Sequence, residues 1–334
     1  MRVTNKIDVQ KWSEFLKNHP NTNIFQSPEM HRVYTKTHKY KPISLAVIDK
    51  SENIVGILLA LIQKEHSGLL GIFSTRSIII GGPLVHDNNL EILNLILKEY
   101  RKIVSKKVIY SQFRNIWLLH DNEKRVFAQN GFEYEEHLNI LIDLNKSSDE
   151  LWIDLKKARK EGVRKAKRNN LVFNVSNSND ILPNFYKLLE ITYSNIKLPY
   201  PEIDFFKNLL QIIPSENIKL FTLKKEERII VALVALIHNN RLSAYYIGID
   251  RDEEILKTRP VDLFYWEVIK WGSENNCTIY DWMGAGKPNV DYGVRQFKLQ
   301  YGGNLVEHGR FEQTHKPMLM SMAKFGLKAY KLVK

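Results

Sequence analysis

Two apolar stretches constrain this chain more than anything else in it: NIVGILLALIQ at 53–63 and RIIVALVALIHNN at 228–240. Both fall short of the roughly 18 apolar residues that mark a membrane span, so they read as buried strands. Each sits among shorter apolar segments separated by turn residues. Around the first lie ISLAVID, the turn KSEN, the glycine-punctuated SIIIGGPLV, and then KVIYSQF and LNILIDL. Around the second lie IKLFTLKK, the turns KEER and NNR, LSAYYIGID and TIYDWMG.

Helical patterns alternate with these strands. The first half predicts helices over 8–18, over FQSPEMHRVYTKTH with Ser27 as cap and Pro28 as first helical residue, over 88–105 with Leu90, Leu93, Leu97 and Tyr100 on one side, and over EKRVFAQNGF. The second half predicts one long helix from Ser147 to 170, where Ser147 and Glu150 have capping-box spacing, then helices over 180–196, EIDFFKNLLQII and VDLFYWEVIKWGSENN. Helices, consecutive strands, a helix and further strands thus occur twice in 334 residues, which predicts a duplicated α/β or α+β domain. The expected division is 1–145, 146–316 and a C-terminal helix over 317–334.

Composition narrows the class. With 44% hydrophobic and 26% charged residues the chain is globular rather than disordered. A single cysteine, Cys277, excludes an internal disulfide, and its strand-entry setting predicts a buried structural thiol. The polar N-terminal helix predicts no leader peptide and a cytoplasmic location. The net charge of +12 favours polyanionic partners. Residues 156–168, KKARKEGVRKAKR, hold eight basic groups and one acid, +7 in thirteen residues. A solvated face is the ordinary reading of such a run. Its self-repulsion, with almost no acidic partner, favours an anionic ligand instead. Leu151, Leu155, Ala158, Gly162 and Ala166 form a stripe that would let this helix lie close against a core.

Familiar site motifs fail. GAGKP at 284–288 has one residue between its glycines and Pro288 after Lys287, so it lacks the spacing and hydroxyl of a nucleotide loop and reads as a turn. RKEGVR at 159–164 puts Arg164 where a coenzyme A pyrophosphate loop needs a small residue. The ten histidines show no metal spacing, and no G-x-S-x-G elbow is present. What remains is YDWMGAGKPNVDYGVRQFKLQYGG, residues 280–303. There Asp281 ends a strand where a carboxylate can orient an amine, and Lys298 follows Phe297 where a lysine can stabilise an oxyanion. Spacing alone also fits a turn and a surface lysine.

These residues carry a resemblance. FQSPEMHRVYTK, SIIIGGPLV, KARKEGVRKAKRNNLVF, TIYDWMGAG and VRQFKLQYGGNL occur in the order found in the FemA/FemB/FemX family of peptidoglycan-bridge aminoacyl transferases, which the chain resembles over most of its length. The resemblance implies two tandem N-acetyltransferase (GNAT)-like domains. It implies attack by an amine on an activated acyl group, with aminoacyl-tRNA as donor and a UDP- or lipid-linked cell-envelope precursor as acceptor, and no resident cofactor. Lys298 and Phe297 take the place of the family's lysine and its aromatic neighbour, and Asp281 would orient the nucleophile. Arg159, Arg164, Lys165 and Arg295 become substrate contacts. The family's early lysine is Tyr34 here, with Lys36 two residues on. The long helical arm of many members has no room in 150–215.

Three readings follow: an aminoacyl transferase acting on a peptidoglycan precursor; an N-acyltransferase using an acyl-coenzyme A thioester on an amino sugar or lipid-linked glycan; or a non-catalytic RNA- or membrane-binding protein. In the tail, Lys324, Lys328, Lys331 and Lys334 share one helical stripe that would suit an anionic membrane surface. A helix packed back on the first domain is the alternative.

Overall fold

The computed structural model describes residues 1–64 and 74–322. The chain forms two compact units, one of residues 1–136 with 308 onward and one of residues 137–307.

The first unit opens with β1 (Arg2–Thr4), α1 (Val9–Asn18) and α2 (Pro28–Lys36). Ser27 accepts the Met30 amide and Pro28 is the first helical residue, so this helix starts where the sequence predicts. Then come β2 (Tyr40–Ile48), β3 (Ile54–Gln63), β4 (Arg76–Ile80), β5 (Leu84–Val85), α3 (Leu90–Val104), β6 (Tyr110–Arg114), α4 (Asp121–Gln129) and β7 (Glu133–Glu135). β2, β3 and β4 are antiparallel neighbours, and α3 carries the chain across to β6, parallel to β4. Gln26 is buried and ties this region together, accepting the Leu59 amide and donating to the carbonyls of Leu59 and Ile80.

The second unit runs β8 (Leu138–Asp143), α5 (Ser148–Asp154), α6 (Lys157–Lys167), β9 (Leu171–Ser176), α7 (Leu182–Asn195), α8 (Ile203–Ile212), β10 (Ile218–Lys225), β11 (Arg228–His238), β12 (Arg241–Ile249), α9 (Glu253–Lys257), α10 (Pro260–Glu274), β13 (Ile279–Asp281), α11 (Gly293–Leu299) and β14 (Asn304–Glu307). Its sheet order is β14-β8-β13-β12-β11-β10-β9. β15 (Arg310–Thr314) then completes the first sheet, whose order is β1-β2-β3-β4-β6-β15-β7.

Read from opposite ends the two orders match strand for strand, with β5, paired to β3, as an extra strand of the first sheet. In each unit three antiparallel strands are followed by a fifteen-residue helix and a strand parallel to the third. This is the predicted tandem architecture, and among the described residues no helix exceeds fifteen residues, so no long arm is present. The two apolar stretches are β3 and β11, each with strands on both sides.

Several expectations need correction. The domain boundary falls at 136/137, not 145/146, because LNILIDL is β8 and its ladder partners are β13 and β14. The second division falls at 307/308, not 316/317, since β15 pairs with β6 and β7. Helix is present over 317–322, whereas the lysines of the tail stripe lie outside the described residues. The single helix from Ser147 is two: Leu155 is extended, with φ −62° and ψ 136°, and separates α5 from α6. The capping box at Ser147 and Glu150 is present. Ala158 is exposed, but Leu151, Leu155, Gly162 and Ala166 are buried as the stripe requires. RQFKL, left without structure by the sequence patterns, is α11.

Candidate active site

The second sheet opens beside β13. β13 pairs with β12 over three residues only, Arg241–Ser243 against Ile279–Asp281, while β12 continues to Ile249 along β11. Beyond Asp281 the chain stays with β8: Trp282 N donates to Ile140 O, Ala285 N to Leu138 O, and Leu138 N to Gly286 O. The two parallel strands therefore part after Ser243 and Asp281. GAGKP is the irregular continuation of β13 along β8, with φ of 132° at Gly284 and 77° at Gly286. Met283, at φ 55°, makes the bend that redirects the chain.

Lys298 reaches into this bend from α11. Its Nζ donates to Trp282 O at 3.1 Å and to Gly284 O at 2.6 Å. An ammonium has three N–H donors, so two of them hold the lysine in place. Around it stands an aromatic shell. Ring centroids are 4.6 Å apart for Tyr265–Trp282, 5.1 Å for Tyr280–Trp282, 5.6 Å for Trp282–Tyr301 and 5.3 Å for Phe297–Tyr301. Burial in this shell pushes the Lys298 ammonium down to about 8, against the opposing pull of the Asp281 charge. A cation fixed at its tip in weakly polarisable surroundings acts strongly on any negative charge that develops beside it.

Asp281 lies a layer behind. It is 0% exposed and its oxygens accept four hydrogen bonds, from Asn139 Nδ2 (2.6 Å), Met283 N (2.7 Å), and Arg241 Nε and Nη2 (2.9 and 2.5 Å). These fill the acceptor capacity of a carboxylate, so Asp281 has no lone pair to offer an amine. Its work is to fix the bend. Asn139 shares it: while donating to Asp281, it accepts the Gly284 amide through Oδ1. Asn139 and Arg241 thus belong to the site, and no sequence motif announced either. Their involvement follows from β8 and β12 flanking β13, which is visible only in the sheet order.

The remaining sequence-predicted residues separate into groups. Arg159 turns inward: its side chain is 12% exposed, Nη1 donates to Asp262 Oδ1 at 2.5 Å, and its guanidinium lies 5.1 Å from the Phe297 ring centroid. Asp262 also accepts from Arg259 Nε and the Tyr301 hydroxyl. Arg159 therefore braces Phe297 and does not face solvent as a phosphate contact would. Gly162 makes this possible, since a Cβ there would come within 2.2 Å of Asp262 Oδ2. Arg164 and Lys165 are exposed on the outer side of α6, with Arg164 5.7 Å over the Trp152 ring. Arg295 donates to the carbonyls of Lys287 (2.6 Å) and Val290, so it braces the loop after the bend. Tyr34 and Lys36 belong to the first unit, where Tyr34 is buried edge-on to Tyr40 and Lys36 is exposed in the last turn of α2. Cys277 is buried and burial pushes its thiol up to about 11, in keeping with a structural role.

Comparison with known proteins agrees with this geometry. Residues 155–299, which span α6 to α11, match the acetyltransferase (GNAT) domain family. No curated protein matches the chain in sequence. Among solved structures, FemX superposes with a TM-score of 0.72 at 16% identity, over 96% of this chain and 99% of FemX. A tandem GNAT protein from the clavulanic acid biosynthesis pathway gives 0.57 at 9% identity, covering 92% of this chain and 94% of that one. L-PGS from Bacillus licheniformis gives 0.56 at 15% identity, covering 97% and 98%. The second unit therefore contains a match to the acetyltransferase (GNAT) domain, and the chain has the fold of a FemX-like tandem of two GNAT-like units.

Proposed function

We propose that the second unit transfers an aminoacyl group from tRNA to an amine of a UDP- or lipid-linked peptidoglycan precursor at the inner face of the membrane. The observation that carries this reading is Lys298 Nζ, held by two carbonyls inside an aromatic shell at the point where β12 and β13 part. The amine attacks the carbonyl carbon of the ester and the carbonyl oxygen becomes an oxyanion. The third N–H of Lys298 donates to that oxyanion. Collapse of the intermediate breaks the ester C–O bond, the new C–N bond remains, and the proton lost by the amine ends on the leaving hydroxyl. Lys298 needs no change of protonation state for this role, and the Trp282 ring centroid lies 5.4 Å from its ammonium.

A second reading is N-acylation of an amino sugar or lipid-linked glycan from a coenzyme A thioester. The match of 155–299 to the acetyltransferase (GNAT) domain favours it. One assay separates the two. The protein is incubated with aminoacyl-tRNA or acyl-coenzyme A and a panel of envelope precursors, and mass added to the acceptor is measured. Transfer from tRNA that disappears in Lys298→Ala supports the first reading; transfer from the thioester alone replaces it with the second. No transfer from either donor leaves the non-catalytic, RNA- or membrane-binding reading.

A further inference from the structure

Helix α6 carries a charge array that its packing does not explain. Its inner face is Gly162, Val163 and Ala166, all buried. Outside, Lys156, Lys160, Arg164 and Arg168 follow each other at four-residue spacing and form one ridge, about 18 Å long at 1.5 Å per residue. Like charges at that spacing destabilise a helix. Of the other four cations of the segment three find carboxylates, Lys157 with Glu161, Arg159 with Asp262 and Lys167 with Glu267, and Lys165 is exposed without one among the described residues. Among the described residues none of the four ridge cations has one. Lys160 donates to Ile153 O, and Arg164 rests on the Trp152 ring.

Apart from Ala158 the apolar residues of α6 are used against the core, so this helix has no free apolar face to insert into a bilayer. What it offers is an inclined row of cations beside an aromatic ring, the combination that tracks a nucleic-acid backbone. The row also starts at the active site. Lys156 N donates to Gln300 O just past α11, and Arg159, on the inner side of the same helix, covers Phe297 next to Lys298.

We infer that the α6 ridge is the docking surface for the phosphate backbone of an RNA, one end of which then lies beside Lys298. The identity of that RNA as the acyl carrier rests on the function proposed above.

The test uses the full chain and end-labelled, deacylated total tRNA, with affinity measured between 50 and 200 mM KCl. A ridge variant combines Lys156→Gln, Lys160→Gln, Arg164→Gln and Arg168→Gln. A charge-matched control combines Lys17→Gln, Lys50→Gln, Lys106→Gln and Lys107→Gln on exposed positions of the first unit. Far-UV spectra and unfolding midpoints establish that both are folded. The expected result is a slope of log affinity against log salt that is shallower by about 3 in the ridge variant, at roughly 0.7–0.9 for each phosphate no longer neutralised. The control slope changes by less than about 1. Equal weakening of both variants, or no tRNA binding by the native chain, overturns the inference. So does a ridge variant that keeps its tRNA affinity but no longer binds phosphatidylcholine vesicles with 30% phosphatidylglycerol. Ridge-dependent tRNA binding supports the inference even where charged tRNA gives no transfer, a result that removes only the donor assignment.

Discussion

Lys298 Nζ donates to the carbonyl of Gly284 at 2.6 Å, joining α11 to the bend that follows β13. Through this bond the position of the Lys298 ammonium depends on a backbone segment that Asp281 and Asn139 hold in place. The chemistry proposed for the site follows from that dependence.

Replacing Lys298 with Ala is expected to lower the acyl-transfer kcat by about 10²–10³-fold, the usual loss on removing one oxyanion donor, with a smaller change in KM. Since the ammonium is the active form and burial holds it down to about 8, the native rate should fall as pH rises through that value. Lys298→Arg should retain part of the rate and lose this alkaline limb, because a guanidinium stays charged there. A pH–rate profile of both proteins checks it; an identical limb in Lys298→Arg would assign the titration to another group.

The same shift makes a prediction about stability. Lys298 titrates near 8 in the folded chain and at its ordinary 10.5 when unfolded, so between these values the unfolded state binds more protons. Native stability should therefore rise from pH 8 to 10.5 relative to Lys298→Met, with the gain absent below pH 8. Urea midpoints of the two proteins across that range provide the comparison.

Asp281→Asn removes the buried charge that pairs with the partly exposed Arg241, and losing these charge-assisted bonds should cost about 1.5–3 kcal/mol. Transfer should fall as well, because the bend carrying the Lys298 carbonyls loses its anchor. Denaturant unfolding and steady-state kinetics on the same preparation test both halves. Full stability with lost transfer would instead make Asp281 a direct participant.

Gly162→Ala inverts the usual helix rule. Alanine normally stabilises a helix interior over glycine by about 1 kcal/mol, but here its Cβ meets the Asp262 carboxylate. Overpacking of this kind should give a net loss of about 1–3 kcal/mol, seen as a lower unfolding midpoint.

Cys277 should not react with a thiol reagent in the folded chain at neutral pH, since its thiol is buried and held up to about 11. Quantitative labelling is expected only in denaturant. Rapid labelling of the native protein would contradict the structural role.

Much of this was legible in the residues themselves. Apolar runs such as β3 and β11, the Ser27–Pro28 helix start and the Ser147–Glu150 capping box depend on neighbours a few positions away, and local order is enough to read them. The order of elements, read twice along the chain, carried the tandem fold, and the linear order of the five motif segments singled out Lys298 as a candidate. Tertiary structure decided the rest. LNILIDL could close the first half or open the second, and only its pairing with β13 and β14 made it β8. Asp281 had the sequence context of a reactive carboxylate, but Asn139 and Arg241, 142 and 40 residues away along the chain, saturate it and turn it into a support. Arg159 and Arg164, five residues apart in one basic run, face opposite ways because Gly162 lets Asp262 draw one inward and leaves the other on the surface. A sequence states which charges a chain carries; which of them are neutralised inside depends on partners that only the folded sheet and helices bring within hydrogen-bond range.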